Sequence, residues 1–217
     1  YTLIAVGSAW KYLDNGTDQS NAWTLPSFND ASWNVGNAEL GYGDGDEATV
    51  VSFGPDPANK YITTYFRKTF NVANANVIKS LLIGLVCDDG AVIYINGVEV
   101  KRYNMPTGTI NYLTEAINTI GNQFEVNYFY FDIDPSILVT GTNTIAVEIH
   151  QDRPNSSDLS FNLSLTASTE KTVLARGSIW KYLDNGTNQG TAWRTEAFDD
   201  SPWASGQAIL GYNTGTN

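Results

Sequence analysis

Cysteine is almost absent from this sequence: Cys87 is the only one in 217 residues, so no disulfide can form within the chain. Cys87 follows the apolar run 81–86 and is predicted to be a small buried residue. His150 is the only histidine, which leaves too few nitrogen and sulfur ligands for zinc. No apolar run reaches the roughly 18–20 residues that a membrane helix needs. A disulfide framework, a zinc centre and membrane insertion are therefore not expected.

Positive charge is also scarce. The chain has 12 Lys and Arg against 23 Asp and Glu, which gives a formal net charge of −11. Such a chain cannot neutralise phosphates, so nucleic acids and anionic membrane surfaces are not expected partners. Neither a nucleophile-elbow serine motif nor a phosphate-binding glycine loop occurs. We therefore predict a protein that is not an enzyme, and its acidity directs attention to divalent cations.

One segment occurs twice. Residues 7–17 recur as residues 177–187, and between 7–42 and 177–212 there are 21 identities in 36 positions at a constant offset of 170. A period this long exceeds any solenoid unit, so each copy is expected to be a whole domain. The sequence thus predicts one complete domain over 1–168, a linker over 169–171, and the N-terminal part of a second tandem copy over 172–217.

The patterning of the first copy favours an all-β fold. Glycine and tyrosine are plentiful, with 19 and 12 residues, and only 16% of the residues are charged. Apolar residues alternate along 144–151 and 159–165, as expected of strands with one buried face. No amphipathic segment of helical length interrupts them. This pattern is typical of a secreted β-sandwich, with 103–122 as a long loop.

Four segments carry a resemblance to a known fold: 28–33, 65–70, 89–97 and 143–147. Their order resembles the galactose-binding-like jelly roll, as in the sugar-binding domain of family 2 glycoside hydrolases. More narrowly, the chain looks like the repeat modules appended to large secreted bacterial proteins. The resemblance implies a jelly-roll β-sandwich. It implies glycan binding only loosely, because many members bind glycans while others space or brace their neighbours.

Two carboxylate clusters are candidate Ca²⁺ sites, because Ca²⁺ prefers oxygen ligands. The first is the adjacent pair Asp88 and Asp89, which resembles a step in lectin domains of the anthrax protective-antigen type. The second is Asp44, Asp46 and Glu47 in a glycine-rich loop. The alternatives are a turn in which aspartates cap backbone amides, and a solvated acidic loop. The second copy has no carboxylate at the loop positions, which favours the latter alternative there.

Six residues are candidate glycan contacts. Aromatic rings stack on sugar rings, and polar side chains at the end of a sandwich can bind sugar hydroxyls. The candidates are Trp10, Trp23, Tyr103, Tyr112, His150 and Gln151. The alternative for the aromatic residues is a place in the core, and for His150 it is an edge position bonded to its neighbours.

Two functions from different classes follow. The first is a non-catalytic carbohydrate-binding module of a secreted, multidomain bacterial protein, assisted by Ca²⁺. The second is a structural or adhesive tandem repeat of an extracellular stalk or filament. The partial repeat is expected either to pack on the first domain or to complete a fold in a neighbouring chain by strand exchange, as in a homo-oligomer.

Overall fold

A computed structural model describes residues 1–121, 127–170, 174, 176–208 and 210–211. The chain divides into two compact units, Tyr1–Lys171 and Thr172–Asn217. Some predicted segments lie partly outside the described residues. These parts are Lys171 of the linker, residue 122 of the long loop, and residues 172, 173, 175, 209 and 212–217 of the second copy. No helix in the described ranges is long and apolar enough to cross a membrane.

The described part of the first unit is built from β-strands joined by turns, including short 3-10 turns at Ala22–Thr24, Ala75–Val77 and Pro135–Ile137. In chain order the strands are β1 (Thr2–Ile4), β2 (Ala9–Leu13), β3 (Asn34–Asn37), β4 (Leu40–Tyr42), β5 (Thr49–Val50), β6 (Thr63–Val72), β7 (Ser80–Asp88), β8 (Gly90–Ile95), β9 (Val98–Tyr103), β10 (Phe129–Ile133), β11 (Gly141–His150) and β12 (Leu159–Ser168).

These strands pair into two sheets of six. Sheet 1 has the order β10-β7-β12-β4-β5, with β1 also paired to β12. Sheet 2 has the order β3-β2-β6-β11-β8-β9. The central strands β7, β12, β6 and β11 are the longest, at nine or ten residues. Neighbours in both sheets are antiparallel apart from the parallel pair β4 and β5.

The core lies between the two sheets. Ile145, Val147 and Ile149 alternate along β11 and are fully buried, as the sequence predicts. Across the interface, Phe66 of sheet 2 stacks on Phe161 of sheet 1 with ring centroids 4.1 Å apart. Each fully buried side chain of this size contributes roughly 1.5–3 kcal/mol. The predicted jelly-roll β-sandwich is confirmed.

The outer face of sheet 2 is covered by two segments. We call residues 14–33 the first cover and residues 104–121 the second cover. The second cover lies directly on the backbone of β8, because a Cβ at Gly90 would be 2.4 Å from Met105 Sδ. The covers convert a face that would otherwise meet solvent into a second apolar layer, in which Trp23 and Tyr65 are buried.

Arg67 on β6 anchors the first cover and is 1% exposed. Its guanidinium donates to the carbonyls of Trp23 and Leu25 and to Asp30 Oδ2, the last at 2.9 Å. Burial alone would raise the pKa of Asp30, but hydrogen bonds from Lys11 and Arg67 outweigh burial and lower it. A buried guanidinium is tolerated because its donors find acceptors on the cover.

The described part of the second unit contains strands β13 (Ile179–Tyr182) and β14 (Ala204–Gln207) and a 3-10 turn at Ala192–Arg194. The two strands form an antiparallel pair. Each element lies 170 residues after a counterpart in the first unit. The counterparts are β2, β3 and the turn Ala22–Thr24.

Candidate functional site

The two covers leave a cleft between them on the outer face of sheet 2. Its volume is about 160 Å³, enough for roughly five waters at about 30 Å³ each. We call it the Glu148 cleft. Its lining is polar and aromatic, and comprises Asp18, Ser20, Asn21, Trp23, Tyr65, Tyr94, Ile110, Asn111, Tyr112 and Glu148.

Glu148 is a carboxylate held in place at the floor of the cleft. It points outward from β11 because its neighbours Val147 and Ile149 point into the core. Tyr94 on the adjacent strand donates its hydroxyl to Glu148 Oε1 at 2.8 Å. Burial and the Glu148 charge raise the pKa of Tyr94, so this hydroxyl stays protonated and remains a donor. Glu148 is 5% exposed, and its orientation is therefore fixed before any ligand arrives.

His150 lies next to Glu148, beneath the second cover. The structure corrects the expectation of an accessible edge residue, because His150 is fully buried. Its Nδ1 lies 2.7 Å from Thr114 O and 2.9 Å from Thr63 Oγ1, and a carbonyl can only accept, so Nδ1 carries the proton. Its Nε2 lies 3.3 Å from Glu148 Oε2. His150 is thus enclosed beneath the second cover and does not reach solvent.

Aromatic rings form the rest of the floor and walls. Trp23 lies in T-shaped contact with Tyr65 at 4.8 Å and with Tyr94 at 5.7 Å between ring centroids. Trp23 is only 2% exposed, so it lines the cleft from its base and is not the open stacking platform that the sequence analysis expected. Tyr112, which is half-buried, fits that expectation better.

Tyr112 also lines a neighbouring cleft of about 470 Å³. Tyr61, Lys60 and Asn59 line this second space together with Pro154. Tyr112 therefore borders both clefts.

Three other predicted contact residues have structural roles away from the Glu148 cleft. Trp10 is 1% exposed, and its ring packs edge-on against Phe161 at 5.0 Å, so it belongs to the core. Gln151 is fully buried, and its Nε2 donates to Tyr42 Oη at 3.0 Å and to the carbonyl of Asp158. These two placements correct the expectation of surface contacts.

Tyr103 ends strand β9 and does not lie in a loop. Its ring packs on Phe129 at 4.4 Å and on Phe131 at 5.7 Å between centroids. Burial raises its pKa to about 12. Tyr103 is half-buried against the core and does not line the Glu148 cleft.

Asp88 and Asp89 are buried, at 1% and 0% exposure. Asp89 accepts from the amides of Ile120 and Asp152, at 2.6 and 2.8 Å, and so ties the second cover to the end of β11. Burial raises the pKa of Asp89, while hydrogen bonds from Asp88 and these amides oppose the shift. Asp89 thus has the amide-capping role that was the alternative to Ca²⁺ binding.

Two residues of the second predicted carboxylate cluster, Asp44 and Asp46, lie close to Glu39 in an arrangement that could hold a cation. Glu39, Asp44 and Asp46 each offer an oxygen within 4.8 Å of the other two. Burial, together with the other carboxylates, raises the pKa of Glu39 and of Asp44, although a hydrogen bond with Ser160 opposes it. The predicted third ligand, Glu47, instead accepts the amides of its own loop at Asp44 and Gly45.

Comparison with known proteins gives matches of structure alone. No protein-family profile matches the chain, and no curated protein matches it. Among solved structures, a family 2 glycosyl hydrolase from Bacteroides cellulosilyticus matches at a TM-score of 0.50 and 16% identity, over 76% of this chain and 21% of that chain. A β-glycosidase from Bacteroides vulgatus matches at 0.49 and 18% identity, over 85% of this chain and 22% of that one. A Bacteroides uniformis β-glucuronidase matches at 0.49 and 16% identity, over 76% and 18%.

The match at a TM-score of 0.50 confirms the resemblance at the level of fold. The chain spans about a fifth of the length of the enzymes it matches. What the comparison supports is the β-sandwich fold.

Sequence reasoning missed Glu148, Tyr94 and Glu39. One signal was available for Glu148, because a carboxylate in the alternating strand 144–151 must lie on the face opposite Ile149. Nothing in the sequence indicated that this face would be covered and form a cleft. Glu39 was missed because it lies before the glycine-rich loop, outside the local spacing that a ligand loop suggests.

Proposed function

We propose that the first unit is a non-catalytic carbohydrate-binding module and that the Glu148 cleft is its glycan site. The observation that carries the proposal is a pre-oriented carboxylate beside aromatic rings in a cleft large enough for one sugar residue. A pyranose ring offers an apolar face to aromatic side chains and hydroxyl donors to a carboxylate. Largely pre-formed, concave and aromatic sites with a few fixed polar groups are typical of small-ligand binding.

Each part of the cleft has a role in this proposal. Glu148 accepts hydrogen bonds from sugar hydroxyls, and Asn21 and Asn111 offer both donors and acceptors at the rim. Tyr112 stacks on the sugar ring and leads further residues of the glycan toward Tyr61. We propose this module as part of a secreted, multidomain bacterial protein, in keeping with its low content of charged residues and its resemblance to such modules.

A glycan and polysaccharide binding screen of the 217-residue chain tests the proposal, run once with Ca²⁺ and once with EDTA. We expect saturable binding of at least one glycan, and Glu148→Gln is expected to weaken it about tenfold by removing one charged acceptor. Glu170→Gln, which changes an exposed carboxylate outside the cleft, is the matched control. Absence of binding, or binding that Glu148→Gln leaves unchanged, would overturn the proposal.

The two buffers also test the calcium prediction. Ca²⁺ at Asp44 and Asp46 stays a prediction, and we propose Glu39 as the third ligand, because the three oxygen donors can converge on one ion. None of these residues lines the Glu148 cleft. We therefore expect EDTA to lower the stability of the module while leaving its glycan affinity unchanged.

A further inference from the structure

The Glu148 cleft is negatively charged. Two carboxylates, Asp18 and Glu148, line it, and none of the described residues in its lining is a lysine, an arginine or a histidine. Neighbouring groups respond to this charge: burial, followed by the charges of Glu148 and Asp18, raises the pKa of Tyr65. An anionic ligand in the cleft would meet two like charges, whereas a cationic ligand would be attracted.

Glu148 has no fixed cationic partner in the part of the chain that the structure describes. It forms no ion pair with a lysine or an arginine there, and its hydrogen-bond donor is the uncharged Tyr94 hydroxyl. His150 Nε2 lies 3.3 Å from Glu148 Oε2 but makes no hydrogen bond. Arg102 is bound to Glu99 at 2.8 Å and lies outside the lining. A carboxylate that is 5% exposed therefore gains from a ligand that brings a positive charge.

The aromatic rings at the base of the cleft form a corner. The Trp23 ring is inclined at 62° to the Tyr65 ring and at 78° to the Tyr94 ring. Rings inclined in this way do not make one flat platform for the face of a neutral sugar. The face of an aromatic ring carries negative charge density, so it attracts an ammonium group that lies within about 6 Å of the ring centroid. The rings and the carboxylate together have the chemistry of an ammonium-binding site.

We propose that the ligand of the Glu148 cleft is a glycan with a free amino group, bound in its ammonium form. The ammonium group lies at the base of the cleft, next to the Trp23 and Tyr65 rings, and donates a hydrogen bond to the Glu148 carboxylate. Glycans that carry carboxylates or sulfates are excluded by the same charges. This inference rests on the proposed glycan-binding function and adds the class of glycan.

The cleft also distinguishes a free amine from an N-acetylated one. Acetylation converts the ammonium group into a neutral amide, which loses the attraction of Glu148 and of the aromatic rings. It also adds an acyl group to a sugar that has to fit a volume of about 160 Å³. The expected order of affinity is therefore the amine form first, with the hydroxyl and N-acetyl forms weaker.

The test compares matched glycans on the 217-residue chain. The probes are β-linked oligomers of glucosamine and of galactosamine, each beside the oligomer that has an N-acetyl group or a hydroxyl group at the same carbon. Isothermal titration calorimetry is run at pH 7, because amines beside an electron-withdrawing carbon titrate near about 7.7–8.0 and are mostly protonated there. At least one amine form is expected to bind about tenfold more tightly than its hydroxyl and N-acetyl counterparts.

Substitutions in the cleft show whether charge causes this preference. Glu148→Gln is expected to weaken the hydroxyl form about tenfold and the amine form about fiftyfold, so that the preference falls to about twofold. Tyr94→Phe removes a hydroxyl but no charge, and it is expected to weaken both forms by the same factor. Asp18→Asn, at an exposed carboxylate, is expected to weaken the amine form about twofold. Glu170→Gln, outside the cleft, is expected to change neither form.

The outcomes separate this inference from the function on which it rests. Equal affinity for the amine and hydroxyl forms, or an equal loss of both in Glu148→Gln, would overturn the ammonium preference and leave the glycan site in place. If no amine form binds, the preference is also overturned, and the broader glycan screen then decides the proposed function by itself.

Discussion

The strand pair β2 with β3, the first hairpin, and the strand pair β13 with β14, the second hairpin, share their local structure and differ in burial. Both have the same strand pairing, the same 3-10 turn and the same aromatic edge contact at an offset of 170 residues. Yet Trp10 is 1% exposed and Trp180 is 46% exposed. The hairpin and its turn are therefore encoded locally, through positions that both copies keep. Burial of its aromatic residues depends on strands far away in the sequence.

The sheet that buries the first hairpin also forms the floor of the Glu148 cleft. The first hairpin lies on β6, and its cover borders the Glu148 cleft, whose floor comes from β6, β8 and β11. The described residues of the second unit contain the counterpart of the cover but none of these floor strands. A glycan site of this design thus requires the complete sheet.

The largest expected difference concerns the paired tryptophans. Trp10→Ala is expected to destabilise the first unit by about 3–5 kcal/mol, because it leaves a cavity beside Phe161. Trp180→Ala is expected to change stability by no more than about 0.5 kcal/mol, as for other exposed positions. Hydrogen exchange at increasing urea measures each unit separately, at the β11 amides for the first unit and at the β13 amides for the second. Equal costs for the two substitutions would contradict the difference in burial.

The next largest effect concerns Arg67, which anchors the first cover. Arg67→Met is expected to cost about 2–3 kcal/mol, because two cover carbonyls and Asp30 lose a charged donor.

The pH dependence of this variant provides a second measurement. The pKa of Asp30 is lowered in the folded state, so its stabilising contribution is present above its ordinary value of 3.8 and is lost as pH falls through the folded value. Urea unfolding between pH 2 and pH 6 should show that the free energy of unfolding falls less on acidification for Arg67→Met than for the wild type. An equal fall in both proteins would show that Arg67 does not stabilise the Asp30 carboxylate.

Glycan affinity is expected to depend on the first unit alone. Tyr94→Phe removes the hydroxyl that holds Glu148, and we expect about fivefold weaker binding of any glycan found in the screen. Trp193→Ala in the second unit should leave that affinity unchanged. Calorimetric titration of both variants measures the difference, with circular dichroism to verify the fold. Loss of affinity in Trp193→Ala would move the glycan site to the second unit.

The smallest effect concerns the acidic cluster, which the second copy replaces with Ile209, Thr214 and Thr216. The pKa values of Glu39 and Asp44 are raised in the folded state, so their contribution favours folding at low pH and declines as pH rises through the folded values.

At pH 7 in EDTA, Asp44→Asn is therefore expected to raise the melting temperature by about 1–2 °C. With excess Ca²⁺ the wild type should have the higher melting temperature, because it gains a bound ion and the variant does not. Scanning calorimetry in both buffers makes the comparison. Identical wild-type curves with and without Ca²⁺ would contradict the calcium prediction.

Several features of the fold were predictable because they depend on neighbours in the sequence. The alternation of Ile145, Val147 and Ile149 predicted a strand with one buried face, and all three side chains are fully buried in the structure. The candidate site was harder to predict. Trp10, His150 and Gln151 were expected to be accessible, since aromatic and polar residues near turns often are, and all three are buried.

The reason is that two covers close over sheet 2, and neither cover has a local pattern that indicates where it lies. Asp89 and Arg67 hold them through bonds to residues 31 to 63 and 37 to 44 positions away in the sequence. Local residue types cannot specify such partners, because many acceptors of equal chemistry compete along the chain.

The sequence alone determined the all-β class, the tandem offset and the direction of the core side chains along strands such as 144–151. These follow from turn residues and from periodicity, which act over a few positions. Only the tertiary structure decided which outward residues meet. It brought Glu148 to Tyr94 and His150, brought Glu39 to Asp44, and buried Trp10 while leaving Trp180 exposed. Burial and side-chain encounters are properties of the assembled sheets, because they require surfaces contributed by strands that are distant in the chain.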